Sequence, residues 1–268
     1  GSASSSLAEG TKTIMIKFHF IFDKTKKAQN LKKKLLKKYK NYTPSKAKVI
    51  VVGGGDGYML SSLKRYLNFN KPFYGINCGT YGFLMNNFNK DDLEKKIFLS
   101  KKIYIRPLNI TAQTNKFKKK ILAINEVSLF RQSRQTVSLN LKIGKKVILK
   151  KLVGDGILVS TPAGSTAYNL SAQGPVLSLN SKKLAVTPIS PFRPRRWKGK
   201  IISNKQKIKI KNLDSKKRPI AAVADNIEIR NIKSVNIEIS RKVTFCVLYD
   251  RKESLIKKIK LEQKRQKK

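Results

Sequence analysis

A glycine-rich turn that carries one carboxylate is the feature of this sequence best suited to chemistry. The apolar, β-branched run Val49 to Val52 leads directly into Gly53-Gly54-Gly55-Asp56-Gly57. A buried strand that ends in glycines presents backbone N–H groups at the carboxyl edge of a sheet, where a phosphate can approach closely. A carboxylate there would repel phosphate unless a metal ion lies between them, or unless Asp56 faces a hydroxyl that must lose a proton. A tight turn in which Asp56 bonds its own backbone is the competing interpretation.

The glycine turn matches neither of two common phosphate-binding motifs. No Lys-Ser or Lys-Thr pair follows the glycines, as a P-loop requires. Counted from Gly53 or Gly55, the sixth position is Tyr58 or Leu60, where the dinucleotide fingerprint needs glycine. Both of these motifs are therefore excluded for the segment.

Two further segments place polar groups at the ends of apolar runs. Asn77 to Leu84 follows the run Phe73 to Ile76, and its glycines flank Thr80, so we expect it to line the same crevice as Asp56. An ordinary turn between strand and helix is the alternative. The pair Asn125-Glu126 ends the run Ile121 to Ile124 and could form bidentate hydrogen bonds to a sugar or a base edge. The alternative is a strand end that turns into solvent.

A long stretch of small polar residues follows a second aspartate between glycines. Gly154-Asp155-Gly156 precedes a predicted strand, and residues 161–171 read Thr-Pro-Ala-Gly-Ser-Thr-Ala-Tyr-Asn-Leu-Ser. Ser165 or Thr166 could cap a helix that begins at Ala167 and so expose free N–H groups to an anion, while Tyr168 could stack on a base. A nucleophilic serine is disfavoured because His19 is the only histidine and no Gly-x-Ser-x-Gly elbow exists.

The elements around the first of these segments alternate between strands and helices. Strands are predicted at Met15 to Phe22, at Val49 to Val52 and at Phe73 to Ile76, and helices at Lys26 to Tyr39, Tyr58 to Leu67 and Asp91 to Leu99. This order predicts an open, Rossmann-like α/β domain over residues 14–102, preceded by a Ser/Ala/Gly-rich appended leader at 1–13, with Met15 as the natural start.

The pattern changes after Lys102 to closely spaced strands. They are predicted at Tyr104 to Ala112, Ile121 to Leu129, Val137 to Ile143, Lys146 to Val153, Gly156 to Ser160, Ile208 to Ile210, Ile227 to Arg230, Val235 to Ile239 and Thr244 to Tyr249. Residues 103–252 are thus expected to form a β-rich, β-sandwich domain with one short helical insertion near Ser165 to Ala172. Residues 253–268 are expected to be a basic, frayed tail. The site is expected between the two domains.

The charge of the chain is extreme, with 60 Lys and Arg residues against 15 Asp and Glu residues, a net charge of +45. Such a charge could serve a polyanion such as nucleic acid, or could reflect a general preference for lysine. The lysines are scattered and rarely interleave with aromatic residues, which favours the second interpretation. We therefore expect no specific nucleic-acid partner, although a positive field would favour any small anionic substrate.

The cysteine and histidine counts limit the remaining classes of site. Cys78, Cys246 and His19 cannot form a zinc site of the usual Cys/His type. Two lone thiols fit a reducing compartment, and no run approaches the roughly 20 apolar residues of a membrane span. The expected location is the cytoplasm, without membrane association.

Together these segments resemble the NAD kinase family. The matching elements, in order, are Gly54-Gly55-Asp56-Gly57, then Asn77-x-Gly79-Thr80-x-Gly82-Phe83-Leu84, then Asn125-Glu126, and last Gly154-Asp155-Gly156 with Ser160-Thr161-Pro162-x-Gly164-Ser165-Thr166-Ala167-Tyr168. Lipid kinases and phosphofructokinases share the first element, whereas the last, following the others in order, is highly specific. The resemblance covers nearly the whole chain after Met15.

The resemblance implies transfer of the γ-phosphoryl group of ATP to the 2′-hydroxyl of the adenosine ribose of NAD, with Mg²⁺. Asp56 would be the catalytic carboxylate. The nucleotide-binding residues would be Gly55, Asp56, Gly57, Asn125, Glu126, Asp155, Ala163, Thr166, Ala167, Tyr168, Asn169, Leu170, Ser171 and Asn226. No metal ligand is assigned to the protein, so Mg²⁺ would arrive with ATP. Family members are usually dimers or tetramers, which implies a homo-oligomer.

The chain departs from the family pattern at three positions. Val153 stands where many relatives have arginine, Gln173 where they have glycine, and Phe192 where they have histidine. Arg193, Arg195 and Arg196 could replace the lost phosphate contacts. A related kinase that acts on a lipid or sugar hydroxyl is the alternative function, and a nucleic-acid-binding protein that uses the charge is a third.

Overall fold

The computed structural model of the chain describes residues 16–88, 92–251 and 255–266, with side chains described as far as Lys260. The predicted leader, the predicted start at Met15 and the predicted first helical residue Asp91 lie outside these ranges. In the described part, the helix near Asp91 begins one residue after Asp92, whose side chain accepts a hydrogen bond from the Glu94 N–H. Asp92 is therefore the N-cap of that helix.

The N-terminal part alternates strands and helices, as the sequence predicts. Its elements are β1 Phe18–Phe22, α1 Lys26–Lys38, β2 Val49–Gly54, α2 Asp56–Arg65, β3 Phe73–Asn77 and α3 Leu93–Leu99, with a 3-10 turn at Leu67–Phe69 after α2. Thr25 caps α1 by accepting a hydrogen bond from the Ala28 N–H. Each strand is short and apolar, and each helix shows one buried face.

The rest of the chain is mostly β-structure. The strands up to the helical insertion are β4 Lys101–Ile105, β5 Leu108–Thr114, β6 Lys118–Ala123, β7 Glu126–Arg131, β8 Val137–Ile143, β9 Lys146–Gly154 and β10 Gly156–Ser160. The insertion consists of a 3-10 turn at Ala163–Thr166 and the single-turn helix α4 Tyr168–Ser171. The remaining elements are β11 Lys183–Ile189, β12 Lys200–Ser203, β13 Ile208–Asn212, β14 Ile220–Ala224, β15 Ile227–Ile229, β16 Ile232–Ile239, β17 Phe245–Tyr249 and α5 Leu255–Gln266.

The first sheet has the strand order β1-β2-β3-β17-β4, with β4 antiparallel to its neighbour and the other pairs parallel. Both of its faces are covered by helices. Val51 shares a buried cluster with Leu35 of α1, whereas Val52 shares the opposite cluster with Met59 of α2. Successive side chains of a strand point to opposite faces, which explains why the wholly apolar run in β2 is needed.

Two antiparallel sheets form the β-rich part, in the orders β12-β11-β10-β7-β14-β15 and β6-β5-β16-β13-β8-β9. Leu129 of the former and Leu141 of the latter belong to one buried cluster, so the two sheets pack as a sandwich. The α/β domain and the β-sandwich predicted from the sequence are therefore both present. The chain passes from one sandwich sheet to the other between β6 and β7, at Ile124 and Asn125.

The boundary between the two parts differs from the predicted one. The prediction placed Phe245–Tyr249 within the β-rich range 103–252, but β17 pairs with β3 and β4 in the first sheet. A short alternating pattern identifies a strand but not its partners, which are set by long-range packing. The strand predicted at Tyr104 to Ala112 is split into β4 and β5 at Pro107, because proline has no N–H for a sheet. Within the range 253–268, which was predicted to be a frayed tail, the described residues Leu255–Gln266 form the helix α5.

Candidate active site

Asp56 is the first residue of α2 and lies against the loop that follows β3. Its Oδ2 accepts a hydrogen bond from the Phe83 N–H at 2.8 Å, and its Oδ1 accepts one from the Leu84 N–H at 2.9 Å. The loop after β3 and the glycine turn therefore meet, as predicted from the sequence. Burial raises the pKa of Asp56, whereas the two amides and the charge of Lys258 lower it. The carboxylate is oriented by backbone groups and partly withdrawn from water.

The backbone on both sides of Asp56 is open. A Cβ atom added at Gly55 or at Gly57 would meet no atom within 4 Å, whereas one added at Gly54 would lie 2.9 Å from the Tyr58 ring. Gly55 has an extended backbone that any residue can adopt, with φ −105° and ψ −176°. Neither crowding nor conformation thus explains glycine at 55 and 57. Absence of side chains there leaves room for a ligand to approach the Asp56 backbone.

Asn125 and Glu126 lie where the chain crosses between the sandwich sheets. Within the described residues, Asn125 Oδ1 and Glu126 Oε2 are buried without a hydrogen-bond partner. Buried polar atoms are rarely left unsatisfied in proteins, because each costs roughly 1–3 kcal/mol. Two adjacent acceptors are therefore available to a polar ligand. Burial, with a smaller contribution from the charge of Asp225, raises the pKa of Glu126 to about 7.

The raised pKa of Glu126 predicts a stability that falls as pH rises. An unfolded glutamate releases its proton near its ordinary pKa of 4.5, whereas the folded protein keeps the proton up to about 7. The folded state binds more protons in this window, so the free energy of unfolding without ligand should decrease from pH 5 to pH 8. The contribution is of the order of 2 kcal/mol. Urea denaturation at both pH values should show the decrease.

Glu126→Gln is the variant that isolates this contribution, since glutamine does not titrate. Its unfolding free energy should fall less between pH 5 and pH 8 than that of the unchanged protein. Equal decreases in the two proteins would show that Glu126 ionises normally in the folded state. Glu228→Gln is the control, because Glu228 is an exposed residue of β15. This variant should show the same decrease in unfolding free energy between pH 5 and pH 8 as the unchanged protein.

Asp225 positions the Asn125-Glu126 segment, whereas the prediction from the sequence assigned its neighbour Asn226 to the nucleotide. Its carboxylate accepts hydrogen bonds from the Ile124 N–H at 2.8 Å and the Asn125 N–H at 2.9 Å. It also forms a 2.8 Å ion pair with Lys64 of α2. Asp225 therefore links α2, which begins at Asp56, to the crossover segment. The side chain of Asn226 is exposed beside it.

The signal for Asp225 in the sequence is slight. It lies in the two-residue turn between β14 and β15, in the left-handed region at φ 51°, where aspartate is among the residues that are tolerated best. The dipeptide Asp-Asn between two apolar runs indicates a turn. Its partners Ile124 and Lys64 are more than a hundred residues away, which no local pattern can reveal.

The Thr161–Ser171 segment packs directly on Asn125. The Thr161 hydroxyl donates to the Ile124 carbonyl at 2.7 Å, and the Thr161 N–H donates to the Asn125 carbonyl at 2.9 Å. A Cβ atom at Gly164 would lie 2.3 Å from the Asn125 carbonyl oxygen. Glycine at 164 is therefore required for two parts of the site to touch.

The capping role predicted for Ser165 or Thr166 is wrong. The helix after them, α4, spans four residues and has no side-chain cap at Ala167. The Ser165 hydroxyl donates to the Pro162 carbonyl at 2.7 Å and accepts from the Leu177 N–H at 3.0 Å. The residue stabilises the loop internally, because it is buried and its hydroxyl has nearer partners than the helix end.

Two residues predicted to contact a nucleotide have side chains that make contacts within the protein. Asn169 is fully buried, donates to the carbonyls of Ser165 and Pro175 and accepts from the Thr187 hydroxyl at 2.7 Å. The Ala163 side chain belongs to the buried cluster beneath α2. Both shape the segment, whereas Ser171 is exposed, and Ala167, Tyr168 and Leu170 are half-buried. Thr166 is buried with 8% of its surface exposed.

Tyr168 packs on β7, the strand next to β10. Its ring lies 5.5 Å, centroid to centroid, from that of Phe130. Burial raises the pKa of Tyr168, and the charges of Asp155 and Glu126 add smaller contributions in the same direction. Glu126 pairs with Ser160 at one end of β10, and Asp155 precedes Gly156 at the other. Five residues of strand span about 16 Å, the reach of an extended ligand.

Arg131 is a second residue near the predicted site that was not predicted from the sequence. Its Nε lies 2.6 Å from Oδ1 of Asp155, and its N–H donates to the Asp155 carbonyl. Both side chains are about 40% exposed, so the pair contributes at most about 1 kcal/mol to stability. It places a cation at the far end of β10. No motif marks Arg131, which is the last residue of β7.

Comparison with known proteins identifies the family. Residues 124–247 match the family model described as the ATP-NAD kinase C-terminal domain. The NAD kinase of Brucella melitensis is 43% identical over 253 residues, which cover 94% of this chain and 98% of the relative. The NAD kinase of Zymomonas mobilis is 45% identical over 242 residues, covering 89% and 94%. The chain belongs to the NAD kinase family.

Solved structures share the fold of this NAD kinase family member. An NAD kinase from Archaeoglobus fulgidus in complex with ATP matches with a TM-score of 0.69 at 22% identity, over 89% of this chain and 94% of the other. A yeast NADH kinase complexed with NADH matches with the same TM-score at 24% identity, over 80% of this chain and 65% of the yeast chain. The family fold therefore extends over both the α/β part and the sandwich.

The three departures from the NAD kinase pattern lie close to Asp155 or in the loop after α4. Val153 forms an isolated antiparallel bridge with Arg193, whose backbone exchanges hydrogen bonds with it. The guanidinium groups of Arg193 and Arg195 stack on Phe192 at 5.4 and 5.5 Å. Arg193 and Arg195 thus lie next to the segment around Val153, which lacks the arginine of the family pattern. Gln173 has φ 61°, in the left-handed region that glycine adopts without strain.

A large cavity of about 850 Å³ lies to one side of the site. Thr161, Pro162 and Ala163 line it together with basic side chains, but Asp56, Asn125 and Glu126 do not. Of the residues predicted to carry the chemistry, Asp56, Asn125 and Glu126 therefore lie outside the lining of this cavity. In the described part of the chain, no group of three or more His, Cys, Asp or Glu side chains could hold a metal ion.

Proposed function

We propose that this chain is an NAD kinase that transfers the γ-phosphoryl group of ATP to the 2′-hydroxyl of the adenosine ribose of NAD. The observation that carries the proposal is the Asp56 carboxylate, fixed by two loop amides between two glycines whose Cβ positions face open space. A ribose hydroxyl can approach that carboxylate without displacing a side chain. The ribose oxygen forms a bond to the γ-phosphorus, the bond to ADP breaks, and the hydroxyl proton leaves.

Asp56 orients the hydroxyl and accepts its proton late in the transfer. An aspartate with an ordinary pKa of about 4 is a weak base for an alcohol at the start of the reaction. Burial raises the pKa of Asp56, which makes it a better acceptor while two amides keep its geometry. Phosphoryl transfer depends mostly on positioning and on electrostatic stabilisation of the phosphoryl group. We therefore assign Asp56 mainly to positioning.

The extended ligand is proposed to lie along β10. Asn125 Oδ1 and Glu126 Oε2 are buried acceptors without a partner among the described residues, and each can accept a hydrogen bond from a sugar or a base. At pH 7 about half of Glu126 is protonated, so it can also donate a hydrogen bond. Tyr168 is half-buried against Phe130 and has a ring on which a base can stack. The length of β10 suits a dinucleotide better than a single nucleotide.

Mg²⁺ is proposed to enter with ATP. When bound, it neutralises charge on the phosphates. Mg²⁺ commonly binds through one or two carboxylates together with substrate phosphates.

We also propose a homo-oligomer in the cytoplasm. No described helix is long and apolar enough to cross a membrane, and both cysteines are free. Light scattering after gel filtration tests the oligomer.

The proposed activity predicts NADP formation that requires ATP, Mg²⁺ and NAD together. The measurement is an enzymatic assay for NADP with each component omitted in turn. A parallel panel supplies a diacylglycerol and a free sugar in place of NAD. ATP consumption with the lipid or the sugar but not with NAD would favour the related kinase instead. Salt-sensitive DNA binding without any NADP would favour the nucleic-acid interpretation.

A further inference from the structure

The helix α5 contacts the loop that holds Asp56. Its Lys258 side chain is half-buried, and the ammonium donates hydrogen bonds to the carbonyl oxygens of Gly82 at 2.8 Å and Phe83 at 3.4 Å and to that of Met85. It also lies 4.6 Å from the centre of the Tyr249 ring. A lysine ammonium has three donors, so one side chain engages three carbonyls of a single loop.

Both backbone polar groups of Phe83, the N–H and the carbonyl, form hydrogen bonds. Its N–H donates to Asp56 at 2.8 Å, and its carbonyl accepts from the Tyr249 hydroxyl at 2.9 Å and from Lys258. The next N–H, of Leu84, donates to the other oxygen of Asp56 at 2.9 Å. The amides that orient the carboxylate are therefore fixed from behind by groups of β17 and α5.

Charge points to the same arrangement. The groups that act on the pKa of Asp56 are its own burial, the Leu84 and Phe83 amides and the Lys258 ammonium; burial raises the pKa and the other three lower it. Lys258 therefore favours the ionised carboxylate. A cation that is hydrogen-bonded to the loop acts through position and through charge at once.

We propose that Lys258 is a positioning residue for phosphoryl transfer, because it fixes residues 82–85 so that their amides orient Asp56. The proposal rests on the proposed NAD kinase activity. It gives the C-terminal helix a part in the active site, although the sequence indicates only a basic tail. Tyr249 assists from the adjacent strand, and α5 carries the charge.

Lys258→Met tests the proposal in the full-length protein, with Lys258→Arg and Lys260→Met alongside. Methionine keeps the length of the side chain and removes the donors and the charge. The kcat for NADP formation should fall about tenfold or more, with the KM for NAD changed less than about threefold. The acidic limb of the kcat pH profile should move to higher pH, because loss of the cation raises the pKa of Asp56.

Arginine keeps the charge and donors and should restore most of the kcat and the position of the acidic limb. Lys260 is exposed on the same helix, so its methionine variant should match the unchanged protein. A Lys258→Met enzyme with normal kcat would overturn the proposal. So would a lower kcat with an unmoved acidic limb, since that indicates only a structural helix. NADP formation by the unchanged protein in the same assay tests the activity separately.

Discussion

Asp56→Asn should lower kcat for NADP formation by about 10² to 10⁴-fold, the range expected when a proton-accepting group is removed. The side chain keeps its size, so the protein should fold and still bind NAD. Asparagine has one acceptor oxygen, however, whereas Asp56 accepts from both Phe83 and Leu84. Its amide nitrogen would face one of those N–H groups, and stability should fall by roughly 1–3 kcal/mol. Steady-state kinetics, calorimetric NAD binding and thermal denaturation measure the three quantities.

Asp225→Asn is a matched control, because Asp225 also accepts hydrogen bonds from two consecutive N–H groups. It should lose stability to a similar or larger extent, since the ion pair with Lys64 also weakens. The effect on catalysis should appear chiefly as a higher KM for NAD, through displacement of Asn125 and Glu126. Near-normal kcat in Asp56→Asn would refute the role assigned to Asp56, whatever its stability.

The parts of this site that local sequence determines were predictable. An apolar run followed by glycines indicates a buried strand with an exposed backbone at its end, and β2 and the turn at Asp56 follow that rule. The loop from Asn77 to Leu84 was expected in the same crevice because neighbouring parallel strands end at the same edge. The resemblance supplied the pairing of Asn125-Glu126 with the segment at Thr161, which no spacing could establish.

The side chains that fix the backbone of the site were not predictable from the sequence. Asp225, Tyr249 and Lys258 each bond to backbone atoms a hundred or more residues away. Each occurs in a sequence context that is ordinary for a turn, a strand or a basic tail. Almost every residue has a backbone carbonyl and amide, so the sequence does not show which of them a given side chain will bind. The membership of β17 in the first sheet is the same kind of long-range fact.

A pair of glycine-to-alanine variants should distinguish a glycine that leaves room for a ligand from a glycine that allows two segments to pack closely. A methyl group at Gly57 would enter open space on α2, so Gly57→Ala should fold as well as the unchanged protein and gain up to about 1 kcal/mol of stability. If a ribose or phosphate must approach that backbone, the same methyl group should raise the substrate KM about tenfold or more. Thermal denaturation and steady-state kinetics measure both effects.

Gly164→Ala is the counterpart, because its methyl group would lie 2.3 Å from the Asn125 carbonyl oxygen, a backbone atom. The two segments must separate, and stability should fall by about 1–3 kcal/mol, or about 3–10 °C in melting temperature for a chain of this size. NAD binding should weaken as a consequence of that displacement. A destabilised Gly57→Ala with normal KM would mean that the space beside Asp56 serves folding and not a ligand. Opposite signs for the two stability changes, with weaker substrate binding in both, would place the ligand against the backbone of Asp56.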